Sequence, residues 1–461
     1  MDGPAELTCT RHLKPTRITC VTCDTPICPE CAIRTEVGLK CPDHASKPAP
    51  PSRSKWSTFA IPLVFVLILG VAQLARTTGR GDPETPRCPT ETAPDVGIGP
   101  AGGGTHWREM SPSSLCGRYD ASAVWTGQEL LIWGGESCAG ASCPNDGAPH
   151  LADGAGYNAA NDAWRTLARS PLSAREAAAT VWTGTEMLVW GGSTGQGLLA
   201  DGAAYNPAAD TWRPLAGSPL SPRNGAGAVW TGREMVVWGG SDAGDGAAYD
   251  PAADRWRPIA GAPLQGRTAP VVAWTGREMV VWAGNEFDDG AAYDPAADRW
   301  RPIAAAPVPG RTRAATVWTG RELLVWGGDN GRDFVGDDGA AYDPATDRWR
   351  VLPPAPLGPR TAPAGVWTGR EMVTWGGIGL PGAGDNSPLD TIVERRTLLS
   401  PVADGAAYDP ATNRWRALEP VPLLGRGFPI AAWDGQSMIL WGGLVVVSSP
   451  ASASEGVRYT P

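Results

Sequence analysis

The chain has 461 residues, is 42% hydrophobic and carries a formal net charge of −9, which argues against general nucleic-acid binding because that needs a basic face. Gly (59) and Pro (45) are abundant, but 22 Trp are too many for a disordered chain, so the Gly and Pro read as turns of an all-β fold. The length leaves room for two or three domains, and lysine stops at Lys55, after Lys14, Lys40 and Lys47, which marks a domain break.

The N-terminal segment holds four paired ligands: Cys9 and His12, Cys20 and Cys23, Cys28 and Cys31, Cys41 and His44. A two-residue gap lets both members of a pair reach one tetrahedral ion across a tight turn. Eight ligands suffice for two closed structural Zn²⁺ sites, and so short a segment needs metal to fold. A redox CxxC or a disulfide knot is the alternative. The spacing resembles the B-box zinc finger over residues 9–44. That resemblance implies a cross-brace, with Cys9, His12, Cys28 and Cys31 on one zinc and Cys20, Cys23, Cys41 and His44 on the other. The nine-residue gap before Cys41 is longer than is usual in that family.

Residues 59–75, FAIPLVFVLILGVAQLA, carry no charge and are long enough for a short transmembrane helix. A buried core helix or a signal peptide is the competing reading, but a signal peptide starts at the N-terminus and here a ligand-bearing segment precedes it. Flanking charges (Arg53, Lys55; Arg76, Arg80) are balanced and do not orient it. The cysteines do: metal-spaced thiols before residue 45 suit a reducing cytosol, whereas the scattered Cys88, Cys116, Cys138 and Cys143 suit an oxidising compartment. The expected topology is single-pass, N-terminus cytoplasmic and C-terminal domain extracytoplasmic. Cys88–Cys116 and Cys138–Cys143 are the pairings favoured by proximity in sequence.

From residue 107 four signatures recur seven times in order. They are W-T-G (Trp125, Trp182, Trp230, Trp274, Trp318, Trp367, and W-D-G at Trp433), W-G-G (Trp133, Trp190, Trp238, Trp326, Trp375, Trp441, and W-A-G at Trp282), a G-A-A-Y type ending at tyrosines from Tyr157 to Tyr459, and W-R from Trp107 to Trp415. Each repeat reads as four short strands, the mark of a propeller blade. The GG doublet, Tyr and Trp at fixed offsets resemble the kelch repeat over residues 107–461. The domain opens with a lone fourth-strand motif at Trp107 and ends with strands one to three, so both termini complete one blade and close the ring.

Loops alternate between two faces. The 1–2 and 3–4 turns are short throughout, and all length variation lies in the 2–3 and 4–1 loops: Glu136 to Ala152, Asp329 to Asp337, and Ile378 to Ala403. That layout suits a binding face, although surface loops also tolerate neutral insertion. An arginine precedes strand one in every repeat: Arg118, Arg175, Arg223, Arg267, Arg311, Arg360 and Arg426. In kelch proteins an equivalent ring can bind acidic ligands, which makes these seven candidate ligand-binding residues. The competing reading is structural, because acids recur at the start of strand two (Glu129 to Glu371, with Ser437 last) and before strand three (Asp153 to Asp404, with Glu455 last).

Kelch propellers include a copper radical oxidase, but that site needs histidines and a cysteine-modified tyrosine; beyond the apolar segment only His106 and His150 occur. No Ser-His-Asp set emerges either, so no catalytic residue is assigned. The expected architecture is all-β: a seven-bladed kelch-type β-propeller (106–461), preceded by a B-box-like zinc module (1–46), a linker (47–58), one transmembrane α-helix (59–75) and a Gly/Pro-rich linker (76–105). The expected function is membrane-anchored recognition or scaffolding of a protein or glycan ligand on the long-loop face, with two structural zinc ions as cofactor. A carbohydrate-binding or carbohydrate-modifying propeller is the alternative.

Overall fold

The chain divides into two units, Met1–Arg80 and Gly81–Pro461. The computed structural model describes residues 106–137, 149–285, 287–330, 336–379, 400–421, 423–446 and 450–461, together with four short strands in the first unit. Those four form two hairpins, Leu7–Thr8 with Pro15–Thr16 and Ile33–Thr35 with Gly38–Lys40. The eight candidate zinc ligands, the apolar segment 59–75 and its flanking linkers lie outside the described residues. Among the described residues no helix is long and apolar enough to cross a membrane.

Among its described residues the second unit contains seven four-stranded antiparallel sheets. Blade 1 is Ser122–Trp125, Glu129–Trp133, Gly154–Asn158 and Ala163–Thr166. Blades 2 to 6 repeat this order, ending with Ala364–Trp367, Met372–Trp375, Gly405–Asp409 and Arg414–Ala417 in blade 6. Blade 7 takes Ile430–Trp433, Met438–Trp441 and Gly456–Tyr459 from the C-terminus and Trp107–Glu109 from the start of the domain. Tyr459 pairs with Trp107 in register, and the Thr460 N–H donates to the His106 carbonyl at 2.8 Å. First strands of neighbouring blades lie side by side all the way round, blade 7 against blade 1 included, so the ring is closed.

Burial follows position in the blade. Second strands such as Met187-Leu-Val-Trp190 are buried at every residue, because adjoining blades cover both faces; this is why they read as continuous apolar runs. First strands alternate, and fourth strands are the most exposed. The turns use glycine where only glycine fits. In the W-G-G doublet Gly192 has φ +97°, and a Cβ there would sit 2.6 Å from the Glu176 carbonyl oxygen.

Tryptophan joins blade to blade. The Trp133 indole packs on Trp212 of the next blade, ring centroids 5.5 Å apart, and Trp190 packs on Trp256 in the same way. The Trp212 Nε1–H donates to the Ala168 carbonyl at the exit of blade 1 (2.9 Å), and every fourth-strand Trp has its equivalent bond. Such ring pairs add about 0.5–1.5 kcal/mol each beyond area burial.

Candidate functional site at the channel mouth

The seven candidate ligand arginines are 0–1% exposed. Arg175 is representative: Nε donates to the Ser173 carbonyl (3.0 Å), Nη1 to the Gly191 carbonyl (3.0 Å), and the guanidinium pairs with Asp201 at 2.9 Å. Each of the other six is likewise anchored to backbone carbonyls and to the acid before strand three of its blade: Asp153, Asp245, Asp289, Asp338, Asp404 or Glu455. Burial lowers the pKa of Arg118 and Arg426, opposed by Asp153 and Glu455. The guanidinium groups therefore lie inside the blades and offer no accessible cationic ring. What the long-loop face presents is the other half of each pair, the acid, whose side chain is 26–61% exposed.

The strand-two glutamates are engaged elsewhere. Glu129 pairs with fourth-strand Arg165 at 2.7 Å, and Arg165 also donates to the Tyr205 hydroxyl of the next blade (2.8 Å). The same clamp recurs from Arg213–Glu186 to Arg416–Glu371. These glutamates serve the short-turn face and are not partners of the buried arginines.

Two residues after each buried arginine the backbone turns left-handed: Asp120, Ala177, Gly225, Ala269, Arg313, Ala362 and Phe428 all have φ between 49° and 60°. The Ala177 N–H donates to the Asp120 carbonyl, Gly225 to Ala177 and Ala269 to Gly225; Ala362 donates to Arg313 and Phe428 to Ala362. These bonds step from blade to blade around the channel rim. The rim is chemically uneven. On the blade 5–7 side Arg313 stacks over Phe428 (5.6 Å) and pairs with Asp329 (3.6 Å), and Tyr119 meets Phe428 and Leu444.

On the blade 1–2 side carboxylates converge. Glu136, His150 and Glu176 bring their ligand atoms within 4.8 Å of one another. Backbone bridges hold them: Tyr119 with Glu136, Glu136 with His150, and Glu176 with Ser193. The Ser193 hydroxyl donates to Glu176 Oε1 (2.9 Å), and His150 Nε2 lies 3.8 Å from the same oxygen. Burial raises the Glu136 pKa, helped by neighbouring Glu176 and opposed by Tyr119. Desolvation and nearby Glu176 raise the Asp120 pKa to about 6, against the pull of Arg313. Burial also raises the Tyr119 hydroxyl.

In the sequence Glu136 and Asp329 mark only the starts of variable loops and His150 is one of two histidines beyond the apolar segment; Tyr119, Asp120 and Glu176 carry no motif. The available signal was departure from the repeat. Where blade 1 has Glu136 after the GG doublet, other blades have Ser193, Ser241, Asn285, Asp329, Ile378 and Leu444. Of the four outer cysteines, Cys116 is buried and disulfide-bonded, whereas Cys88, Cys138 and Cys143 lie outside the described residues, as do parts of the three long loops (138–148, 331–335 and 380–399).

No curated protein matches the chain. Residues 105–284 match the family model described as the KLHDC2/KLHL20/DRC7 Kelch-repeats domain; that match and the repeated four-stranded sheets, which continue to residue 459, support a kelch-type β-propeller for the second unit.

Proposed function

We propose that the chain is a membrane-anchored recognition or scaffold protein that binds a protein partner through the long-loop face of an extracytoplasmic kelch propeller. In this reading residues 59–75 are the anchor. Residues 1–46 form a cytoplasmic module holding two structural Zn²⁺ through Cys9, His12, Cys20, Cys23, Cys28, Cys31, Cys41 and His44. Kelch repeats suggest protein interaction. The observation that carries the reading is the rim. The charges common to all repeats are used up in intrablade and interblade clamps, while the residues that break the repeat gather at one channel mouth. A rigid scaffold with individual chemistry on one face suits a binding site. The Cys116 disulfide supports an oxidising compartment for the propeller.

The test is cross-linking capture with the full chain in its membrane. Glu176→Arg or Arg313→Glu should change what is captured, whereas Gln128→Ala in a 1–2 turn should not. Equal capture by all three variants sinks the reading. Capture of glycan alone supports the carbohydrate alternative. For the N-terminal module, elemental analysis of the intact chain should find about two zinc ions per chain beyond any bound at the rim, and Cys28→Ala should lose about one of them.

A further inference from the structure

The geometry points to a divalent transition-metal site, of the Zn²⁺ or Mn²⁺ class, formed by Glu136, His150 and Glu176 at the channel mouth between blades 1 and 2. It does not depend on the recognition role proposed above.

The donor set is one imidazole nitrogen and two carboxylate oxygens, all within 4.8 Å of one another. Bonds of about 2.0–2.2 Å to one ion would bring such atoms to separations of roughly 3–4 Å, which small side-chain rotations can reach. Imidazole among carboxylates selects first-row divalent ions over Mg²⁺ or Ca²⁺, which prefer all-oxygen shells.

The three donors come from separate segments whose backbones are already fixed. Glu136 follows the blade 1 GG doublet, His150 lies on the returning limb bridged to it, and Glu176 opens blade 2 bridged to Ser193. The Ser193 hydroxyl donates to Glu176 Oε1, the kind of outer support that orients metal ligands. The His150 and Glu176 side chains are 13% and 21% exposed, shielded enough to strengthen binding and open enough to admit a further ligand from the channel.

The repeats supply an internal control. The positions equivalent to Glu176 hold Tyr119, Asn224, Thr268, Thr312, Thr361 and Gly427, and no other blade combines two carboxylates with a histidine there. A structural need of the blade would recur around the ring, as the arginine–acid pairs do; this constellation occurs once among the described residues. Local charge favours a cation as well. Asp120 adds a third carboxylate, and Arg313, the cation that opposes it, is shared with Asp329.

The experiment is Mn²⁺ titration of the full-length protein followed by electron paramagnetic resonance, since cysteine-rich zinc sites hold Mn²⁺ poorly. One Mn²⁺ should bind to the wild type and be displaced by Zn²⁺. Affinity should fall by more than about 10-fold in Glu176→Gln and in His150→Ala, and by about 10-fold in Ser193→Ala. Thermal melts without metal, unchanged in these variants, separate loss of the site from loss of the fold. The assignment is overturned if the wild type binds no Mn²⁺, or if His150→Ala binds it as the wild type does, which would leave only diffuse attraction to carboxylates. If His150→Ala proves unfolded, His150→Gln takes its place with the same two outcomes.

Discussion

Arg458 reaches Asp434 at 2.7 Å in blade 7 and thereby replaces the clamp that every other blade builds from a strand-two glutamate and a fourth-strand arginine. Three departures from the repeat are coupled here. Ser437 stands in place of the glutamate, Asp434 in place of the W-T-G threonine, and Arg458 in place of a third-strand Ala or Gly. Arg458 Nη1 also donates to the Ala159 carbonyl of blade 1 at 2.7 Å, so the substituted pair spans the seam where the ring closes.

That pair should respond asymmetrically to mutation. Asp434 is 5% exposed and Arg458 16%. Asp434→Ala leaves a half-buried guanidinium without its carboxylate and should cost about 3 kcal/mol. Arg458→Ala should cost less, because Asp434 keeps backbone donors from Gln436 and Ser437 at 2.8 and 2.6 Å. The double change Asp434→Ala with Arg458→Ala, which removes both charges together, should cost less than the sum of the single losses. Chemical denaturation of the four proteins measures the coupling; additive losses would show that the pair is not coupled.

The buried arginines should behave as structure. Arg267 is fully buried, bonded to the Gln265, Ala283 and Asp289 carbonyls and paired with Asp289 at 2.7 Å, and its guanidinium stacks over Phe287 at 4.3 Å. Arg267→Glu should abolish folding or lower stability by more than about 3 kcal/mol, since it places an unpaired anion among carbonyl oxygens. Asp289→Asn keeps an acceptor for the buried guanidinium but removes its carboxylate, and should cost less than Arg267→Glu, about 1–3 kcal/mol. Urea melts of both variants decide it, and a stable Arg267→Glu propeller would return these residues to consideration as ligand groups.

Acid stability should be governed in part by the 3–4 turns. Asp210, Asp254 and Asp298 are held below the usual carboxylate range, chiefly because Tyr205, Tyr249 and Tyr293 donate hydroxyl hydrogen bonds to them; backbone N–H groups from the preceding blade add to this. The unfolded chain binds protons at these sites before the folded one does. Their contribution is therefore complete above the ordinary aspartate pKa and is lost as pH falls through the lowered folded values. Blade 6 offers the control, for Asn413 accepts the Tyr408 hydroxyl at 2.7 Å with the same left-handed backbone. Replacing the three aspartates by asparagine should flatten the acid limb of Tm against pH below about 4. An unchanged acid limb would place the sensitivity elsewhere.

The blades, their strand order and the closure through Trp107 were legible because each rests on local pattern: continuous apolar second strands, small third strands, and a turn signature every repeat. Pairing of the charged residues was not. The sequence places Glu129, Arg118 and Asp153 at fixed offsets, but which carboxylate meets which guanidinium depends on the side of the sheet and on the neighbouring blade. In the fold Arg118 turns inward to Asp153, and Glu129 goes to Arg165. The rim cluster was hidden for a related reason. Glu136, His150 and Glu176 are far apart in sequence and lie at positions that a search for repetition averages away; only their shared departure from the repeat marks them.

The last expectation concerns Cys116 and the side of the membrane on which the propeller folds. Cys116 is 5% exposed, two residues before the buried Arg118, and is disulfide-bonded. Proximity in sequence makes Cys88 its expected partner, which would tie the segment leaving the apolar stretch to the blade 7–1 connection. Such a bond restrains the unfolded chain, so Cys116→Ser should lower stability by about 2–4 kcal/mol. It also requires an oxidising compartment. Alkylation of the unfolded, unreduced chain taken directly from cells should leave Cys116 unmodified, and peptide mapping should recover it joined to Cys88. Protease added to intact cells should remove the propeller and spare residues 1–46. Modification of Cys116 before reduction, together with a protected propeller, would put the domain in the cytosol and reverse the proposed topology.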